Sequence, residues 1–594
     1  MAGTDPQAFW SAGQLRSARF DDIYFSASGG LGEACVVFLE GCGLPERWQG
    51  RQRFTVGELG FGTGRTILAL LHLWQRHRPP GAILHIFSVE GFPLSIADAR
   101  AAHACWPDIA MLSAPLLAQW PAGARGMHRI GWPGLGATLD LAVLDVTDAL
   151  AGWGGKADAW FLDGFSPARN PAMWSQDVLA AVAKASAPGA RAATYSVAAA
   201  VRHGLEAGGF TLARKPGFGH KDERLEATFP GTAKDPPIPR IAIIGAGIAG
   251  AALARALADQ GVDAQMFASG PMASGNPAAL VSPRLAAGSA AGAALHAQAF
   301  RRAVQCIRAT APRAIIATGV QRLLNGAGEA ARGAATIASG LFDPGSIHPA
   351  DEHADSPAAL LFEDALVVAP DLLRMAWLPK VRNISVASLR RIPSGWALLG
   401  ATGEVVARAD AVILAAGFAC ATLSEIPLRP VRGQVSIADI PLSGPPTSWG
   451  GYVIPTPTGL LFGATHDRGD ADPRSRPEDQ ARNLAGLQEA RPAIAAGLEG
   501  KPLRAAAGVR AATGDHQPVA GLLEEGLYAL TGLGGRGFTL APLLAEHVAA
   551  LVLNLPSPLP AALAALVDPA RLRPKAAKRA PRPDRTHRSR PGAG

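Results

Sequence analysis

The sequence predicts an α/β protein: a Rossmann-like, mainly parallel sheet, then a second nucleotide-binding α/β domain with an interleaved α+β substrate subdomain. Three observations carry the prediction. Two glycine-rich loops, 57–64 and 245–250, lie far apart, and each follows its own hydrophobic strand. Strand and helix patterns alternate through the first half, as a doubly wound sheet requires. Between the halves, the Pro/Gly-rich run 229–239 reads as a stiff, non-helical connector.

In the first half, 54–59, 83–90, 139–145, 159–163 and 191–196 read as strands. A helical pattern of Ile67, Leu68, Leu70, Leu71 and Trp74 follows the first loop. A fresh strand–glycine–helix unit opens at Arg240. The second half is interleaved: a buried strand reappears at 411–417, strands of a subdomain fall within 451–463, and a third glycine cluster, 532–537, precedes a helical pattern near Pro542. The Ala/Gly-rich stretch 285–350 carries little pattern. The expected units are 1–235, 240–570 and a basic, disordered tail at 571–594.

The chain has 594 residues and a net charge of +8, and the charge is uneven. From Arg571 onward nine basic residues face Asp584 alone, which leaves the body balanced at 47 basic and 47 acidic residues. The body therefore has no general basic field, while the tail either solubilises or attracts a polyanion. Cys35, Cys42, Cys105, Cys306 and Cys420 show no close pair and no metal-type spacing, as expected in a reducing cytoplasm. No uninterrupted apolar run approaches the roughly 18 residues of a membrane span. The N-terminus has no signal-peptide pattern. A cytoplasmic protein is expected, with no metal, no membrane and no protein partner.

The first loop runs Glu58-x-Gly60-x-Gly62-x-Gly64. Backbone amides at such a strand-to-helix turn cradle a polar ligand, and glycines let it come close. An acid closing the next strand, Glu90, suits two ribose hydroxyls; Asp145 after the following strand suits an adenine amino group. This is the pattern of an S-adenosyl-L-methionine site. Farther on, Asp163 leaves the sheet edge ahead of a rigid loop bearing Phe165. Methyl transfer to an amine needs a free lone pair, and an alkylamine with a pKa of about 10 is protonated at neutral pH. Asp163 is placed to orient that amine and take its proton, and Phe165 to stack on a base. Alternatively, Asp163 merely caps a turn.

In the second loop, Gly245-x-Gly247-x-x-Gly250 follows a strand and opens a helix. The acid expected after the next strand is missing, since the position falls near Ala268. The late cluster with Gly534, Gly535, Arg536 and Gly537 favours FAD over NAD, because a second glycine-rich helix start can close over a flavin. Arg432 and Arg510 lie in stretches without neighbouring acids and are candidates for an anionic substrate or flavin.

With these motifs in view, the chain resembles the bifunctional bacterial tRNA-modifying enzymes that make 5-methylaminomethyl-2-thiouridine at the wobble position. The matching stretches are Asp22-Ile23-Tyr24-Phe25, 57–64, 161–171 with Met173-Trp174, Ala273-Ser274-Gly275-Asn276, Arg429-Pro430-Val431-Arg432-Gly433-Gln434, Gly463-Ala464-Thr465 and Arg536-Gly537. Coverage runs from about 20 to 550. Two positions depart: Arg65-Thr66 replaces Leu-Asn, and Lys221-Asp222 replaces Lys-Arg. The resemblance implies two steps on tRNA. FAD-dependent oxidation removes the carboxymethyl part of the 5-carboxymethylaminomethyl group, with Arg510 or Arg432 taking the substrate carboxylate. S-adenosyl-L-methionine-dependent methylation of the exposed amine follows. The alternative is a glycine-oxidase-like flavoenzyme fused to a methyltransferase of free small amines.

Overall fold

The computed structural model describes residues 6–573 apart from 26–29, 122, 220–221, 271, 286–289, 351–357 and 443. In the first unit eight strands form one sheet. They are β1 (Arg53–Leu59), β2 (Ile83–Val89), β3 (Gly126–Trp132), β4 (Ala137–Val143), β5 (Ala157–Leu162), β6 (Ser186–Thr194), β7 (Thr211–Pro216) and β8 (Glu223–Thr228). Their order is β7-β8-β6-β5-β1-β2-β4-β3. The inner pairs are parallel, and β3, β7 and β8 run antiparallel at the edges. Strands β1, β2, β4 and β5 are buried along their whole length, as strands covered on both faces must be. Gly57 leaves room for the Trp160 indole: a Cβ there would fall 2.3 Å from the ring. Helix α1 (Arg65–His77) follows β1, and α2 (Val146–Gly152) follows β4.

Asp235 is tied to the first unit, accepting from the Arg51 side chain at 2.8 Å and from the Gln52 amide at 2.7 Å. Arg240 is tied to the second, donating to Asp410 at 2.6 Å. The chain thus changes unit within the Pro-rich connector.

The second unit has three sheets, two large ones and a three-stranded one built from Ser388–Ile392, Gly395–Leu399 and Val405–Ala409. Strands β9 (Ile241–Ile244), β10 (Ala264–Phe267), β11 (Val381–Arg382), β12 (Ala411–Leu414), β13 (Val519–Glu524) and β14 (Leu527–Thr531) form a sheet ordered β11-β10-β9-β12-β14-β13. Three helices pack on it or beside it: α3 (Ile248–Ala258), α4 (Ala290–Thr310) and α5 (Gly537–Leu553). The segments between build a ten-stranded mixed sheet in which Arg429–Ala438 pairs with Arg504–Ala512. The stretch 285–350, unreadable in sequence, holds the 21-residue α4. Gly534–Leu553 is long and apolar enough to cross a membrane, but 78% of its most apolar window is buried in the protein.

Arg571 and Arg573, counted with the tail on composition, are held by the second unit. Arg571 Nε donates to Asp515 at 2.9 Å, and Arg573 Nη2 to the Leu523 carbonyl at 2.9 Å. Two specific acceptors outweigh the solubility of a basic run at this point. The rest of the tail lies outside the described residues.

A buried ionic cluster joins the two units. Arg129 on β3 grips Asp140 with two hydrogen bonds of 2.7 and 2.6 Å, and His85 reaches Asp140 at 2.8 Å. Glu546 on α5 then accepts from Arg255 at 2.6 Å and from Arg302 at 2.8 Å, with Arg129 at 3.8 Å. Burial alone would raise the Glu546 carboxyl; Arg302, Arg255 and Arg129 together hold it down to about 2. Glu546→Gln should cost about 3–5 kcal/mol, since it leaves the buried Arg302 without an acid among the described residues, while Arg255 keeps Asp259 and Arg129 keeps Asp140. A carboxyl held below its unfolded value, about 4.3, stabilises the fold above that pH. Wild-type stability should therefore fall as pH drops from about 5 to 2, and the variant should lack that component. Urea unfolding midpoints against pH test this; equal midpoints at neutral pH would discount the cluster.

Candidate active sites

The first glycine loop is held in conformations that suit glycine. Gly60, Gly62 and Gly64 have φ of +93°, +53° and +73°. A Cβ on Gly60 would fall 2.2 Å from the Asp163 carbonyl oxygen, so the loop and the Asp163 turn touch backbone to backbone. His103 braces the loop: its Nε2 donates to the Thr63 carbonyl at 2.7 Å, while its Nδ1 meets the Ser113 hydroxyl at 2.6 Å. Glu90 accepts from the Gly62 amide and the Phe92 amide, each at 2.8 Å, and burial raises its carboxyl. Asp145 is exposed and caps α2 through the Thr147 amide at 2.9 Å. Glu58 is fully buried against the Ser88 hydroxyl, and burial pushes its carboxyl well above the usual range. Glu58 Oε1 has no hydrogen-bond partner among the described residues, and a ligand donor would satisfy it.

Asp163 sits just past β5. Thr66 donates to its Oδ2 at 2.9 Å, and Arg65 lies 3.5 Å from the same oxygen while also pairing with Glu33 at 3.2 Å. Phe165 lies in a ring cluster: Phe20 stacks on it at 4.8 Å, Tyr24 meets it edge-on at 5.2 Å, and Phe92 packs on Phe20 at 5.7 Å. Arg19 covers Phe92 at 4.2 Å. Two further bonds pin the loop, from Trp174 Nε1 to the Phe165 carbonyl at 2.8 Å and from Tyr195 to the Gly164 carbonyl.

In the second unit Gly245 has φ +115°, and a Cβ there would fall 2.4 Å from the Ala415 carbonyl oxygen. A Cβ on Gly250 would fall 1.9 Å from the Gly245 carbonyl oxygen, so α3 can start this close to the turn only with glycine. Gly247 precedes α3, and the Ser274 hydroxyl accepts from the Ile248 amide at 3.2 Å. Gly534, Gly535 and Arg536 form a short turn that runs into α5 at Gly537, where a Cβ would be 3.1 Å from Ile248. Both helix starts therefore point into one place.

The two arginines part company. Arg432 is fully buried and bound to Asp479, with Asp467 at 3.5 Å, Gln434 at 2.9 Å and the Arg474 carbonyl at 2.6 Å. The expectation of a cation without acids is overturned there, because Asp479 arrives from a helix 47 positions away. Arg510, across the strand pair opposite Val431, has no ion pair or hydrogen bond within the described residues. Its guanidinium lies over Gly433, where a Cβ would be 2.4 Å from Nη1. It also sits near Tyr452 and His466; burial, then Arg510, lowers His466 and leaves it neutral.

Comparison with known proteins matches both halves. Residues 107–230 match the S-adenosyl-L-methionine-dependent methyltransferase family, and 240–551 match the FAD dependent oxidoreductase family. The tRNA 5-methylaminomethyl-2-thiouridine biosynthesis bifunctional protein MnmC of a Caulobacter sp. is 53% identical over 94% of this chain and 96% of its own length. The chain belongs to that family. Its counterpart in Maricaulis maris is 42% identical over 90% of each chain. A glycine oxidase from Geobacillus kaustophilus is similar over 53% of this chain and 95% of its own, at 23% identity and a TM-score of 0.47.

The residues present fit both cofactors of this bifunctional family, S-adenosyl-L-methionine and FAD. The cradles exist only because no Cβ fills them, and Glu58 offers an unused acceptor in the first. The two positions that depart from the usual family pattern after Gly64 are the pair that holds Asp163. Lys221 lies outside the described residues. Phe20, Phe92, Glu33 and Ser88 escaped sequence reasoning; only Tyr24, inside a matching stretch, carried a signal. Gly60→Ala should weaken S-adenosyl-L-methionine binding about tenfold or more, and Gly250→Ala should do so for FAD, as overpacking of this size requires. Calorimetry and flavin absorbance read each loss separately; a variant that loses the other cofactor would break the assignment.

Proposed function

We propose that this chain completes a tRNA wobble uridine in two steps. Residues 240–570 oxidise 5-carboxymethylaminomethyl-2-thiouridine to 5-aminomethyl-2-thiouridine, and residues 1–235 methylate the freed amine to 5-methylaminomethyl-2-thiouridine. The observation that carries this reading is the pair of distinct cofactor cradles on one chain, shared end to end with a relative of that printed function. A fusion acting on free small amines gains no support from relatives that align across both units.

FAD supplies a two-electron acceptor and S-adenosyl-L-methionine an electrophilic methyl group. For the first step, Arg510 is the fork for the substrate carboxylate, free of acids and laid flat over Gly433. A hydride leaves the carbon beside the amine, and water hydrolyses the resulting imine, releasing glyoxylate and the primary amine. His466, kept neutral, adds no competing charge. Arg432 supports this strand from within and does not touch substrate.

For the second step, Asp163 orients the amine and accepts its proton. Thr66 fixes one carboxylate oxygen and so sets the orientation of the Asp163 carboxylate. Phe165, backed by Phe20, offers an aromatic wall to the base. The half-buried rings lower the local dielectric beside Asp163, which strengthens its pairing with a cationic amine. A cytoplasmic location beside the tRNA is part of this reading, supported by five cysteines that form no disulfide, as suits a reducing compartment.

Nucleoside mass analysis of tRNA carrying the carboxymethylaminomethyl group tests both steps. Without S-adenosyl-L-methionine the aminomethyl nucleoside should accumulate, and with it the methylaminomethyl form. Asp163→Asn should slow the second conversion about a hundredfold and spare the first. Gly433→Ala should do the reverse by displacing Arg510. Unchanged tRNA with flavin-loaded, folded protein would sink the reading.

A further inference from the structure

The ten-stranded sheet of the second unit sorts its charges by face. Along Arg429–Ala438 successive side chains point to opposite sides. Arg432 and Gln434 go to one side, where Asp479 and the Arg476 carbonyl take them. Asp467, opposite Arg432 on a neighbouring strand, goes the same way and pairs with Arg432 and Arg482. Arg429, Val431 and Gly433 go to the other side. Opposite Val431 stand Arg468 on one neighbouring strand and Arg510 on the other, so their side chains share that second face.

This face carries arginine without acid. Arg429, Arg468 and Arg510 form no ion pair among the described residues. Arg429 and Arg468 are exposed, and Arg510 is half-buried. The Arg429 guanidinium reaches the loop after Arg504–Ala512, where a Cβ on Gly514 would lie 3.4 Å from Nη2. Asp515 in that loop is already held by Arg571 at 2.9 Å and by the Thr513 hydroxyl at 2.7 Å. His466 feels the resulting field: partial burial, then Arg510 and Arg468, keeps its ring below the usual value. The body of the chain has 47 basic and 47 acidic residues, so this excess is a local arrangement and no reflection of net charge. Arg468 and Arg510 stand two strand spacings apart, roughly 10 Å. One substrate carboxylate fills one fork, at Arg510, and leaves the other two arginines for further anions on the same molecule. A polynucleotide carries such anions at regular intervals beside the modified nucleotide.

We propose that Arg429 and Arg468 bind the RNA backbone beside the nucleotide whose carboxylate Arg510 takes, which makes this sheet face the RNA-docking surface of the oxidising site. The proposal rests on the function given above and adds to it where the RNA lies. Contacts of this kind set the register of the RNA and carry no base information, so they act alike on every tRNA that brings the modified uridine.

Arg429→Gln and Arg468→Gln in the FAD-loaded full chain test the face. Arg504→Gln is the control, since Arg504 lies on the same sheet and is already paired with Asp439. Oxidation of tRNA carrying the carboxymethylaminomethyl group is followed alongside binding of a fluorescent anticodon stem-loop RNA at several salt concentrations. Each test variant should raise KM about fivefold, lower the salt slope of RNA binding by about one contact, and keep kcat at saturating tRNA. The control should match the wild type. Wild-type KM and salt slope in both test variants, or equal changes in the control, overturn the proposal. A fall in kcat with KM kept overturns it too, because the arginines would then act on the reacting group. A wild-type protein that binds the stem-loop but leaves tRNA unconverted overturns the proposed function alone, and the salt slopes still decide the face. Absence of RNA binding overturns both.

Discussion

The Glu546 carboxylate is the point on which the arrangement of the molecule depends. It accepts from arginines on α3 and α4 and faces a third, Arg129, that belongs to the other unit's sheet. A single buried carboxylate beside three guanidinium groups would leave excess positive charge. Asp140 offsets one charge by taking both arms of Arg129, and Asp259 another by pairing with Arg255. The series His85, Asp140, Arg129, Glu546, Arg302 and Arg255 is thus one electrostatic unit, and its geometry is set by fork-shaped donors that tolerate little rotation. Two domains joined by a Pro-rich connector are held in one orientation by it. Because Glu546 lies on the helix whose first turn is the Arg536-Gly537 motif, the same contact ties the first unit to the FAD cradle.

Both sites follow a common rule: glycine makes room for the group that acts. Gly60 lets the Asp163 turn lie against the loop, Gly245 and Gly250 let α3 start against β12's end, and Gly433 lets Arg510 lie flat. In the Arg432-Gly433-Gln434 block the glycine matters for the site and the arginine for the fold. Arg432 and Gln434 are consumed by Asp479, Arg474 and Arg476 in the layer beneath. A charged side chain quoted in a motif is therefore a poor guide to which charge a ligand meets.

The first cradle shows how local departures are absorbed. Arg65 and Thr66 occupy the first turn of α1, directly after the glycines, and both reach Asp163. Glu33 takes the other side of Arg65, so the added charge is balanced before it meets substrate. The aromatic wall is built from a distant N-terminal segment, Phe20 and Tyr24, folded over Phe165.

The sequence by itself determined the two cofactor cradles and their order. A strand, a glycine turn and a helix start are contiguous in the chain, and their steric demands are written in adjacent residues. It also put Asp163 at a strand end and Phe165 in the loop after it, because those are local features of the chain. Strand ends were misplaced by one or two residues at Glu90 and Asp145, where the acids lie just past the last ladder pairs. Tertiary structure alone decided which arginine is free. Neutralisation of Arg432 comes from Asp479 on a helix far along the chain, and Arg510 forms no ion pair among the described residues. It alone decided the joint between the units as well, since Arg129, Arg255, Arg302 and Glu546 carry no shared pattern. Long-range charge pairing has no period in sequence, whereas backbone conformation does, and that difference separates what could be read from what had to be seen.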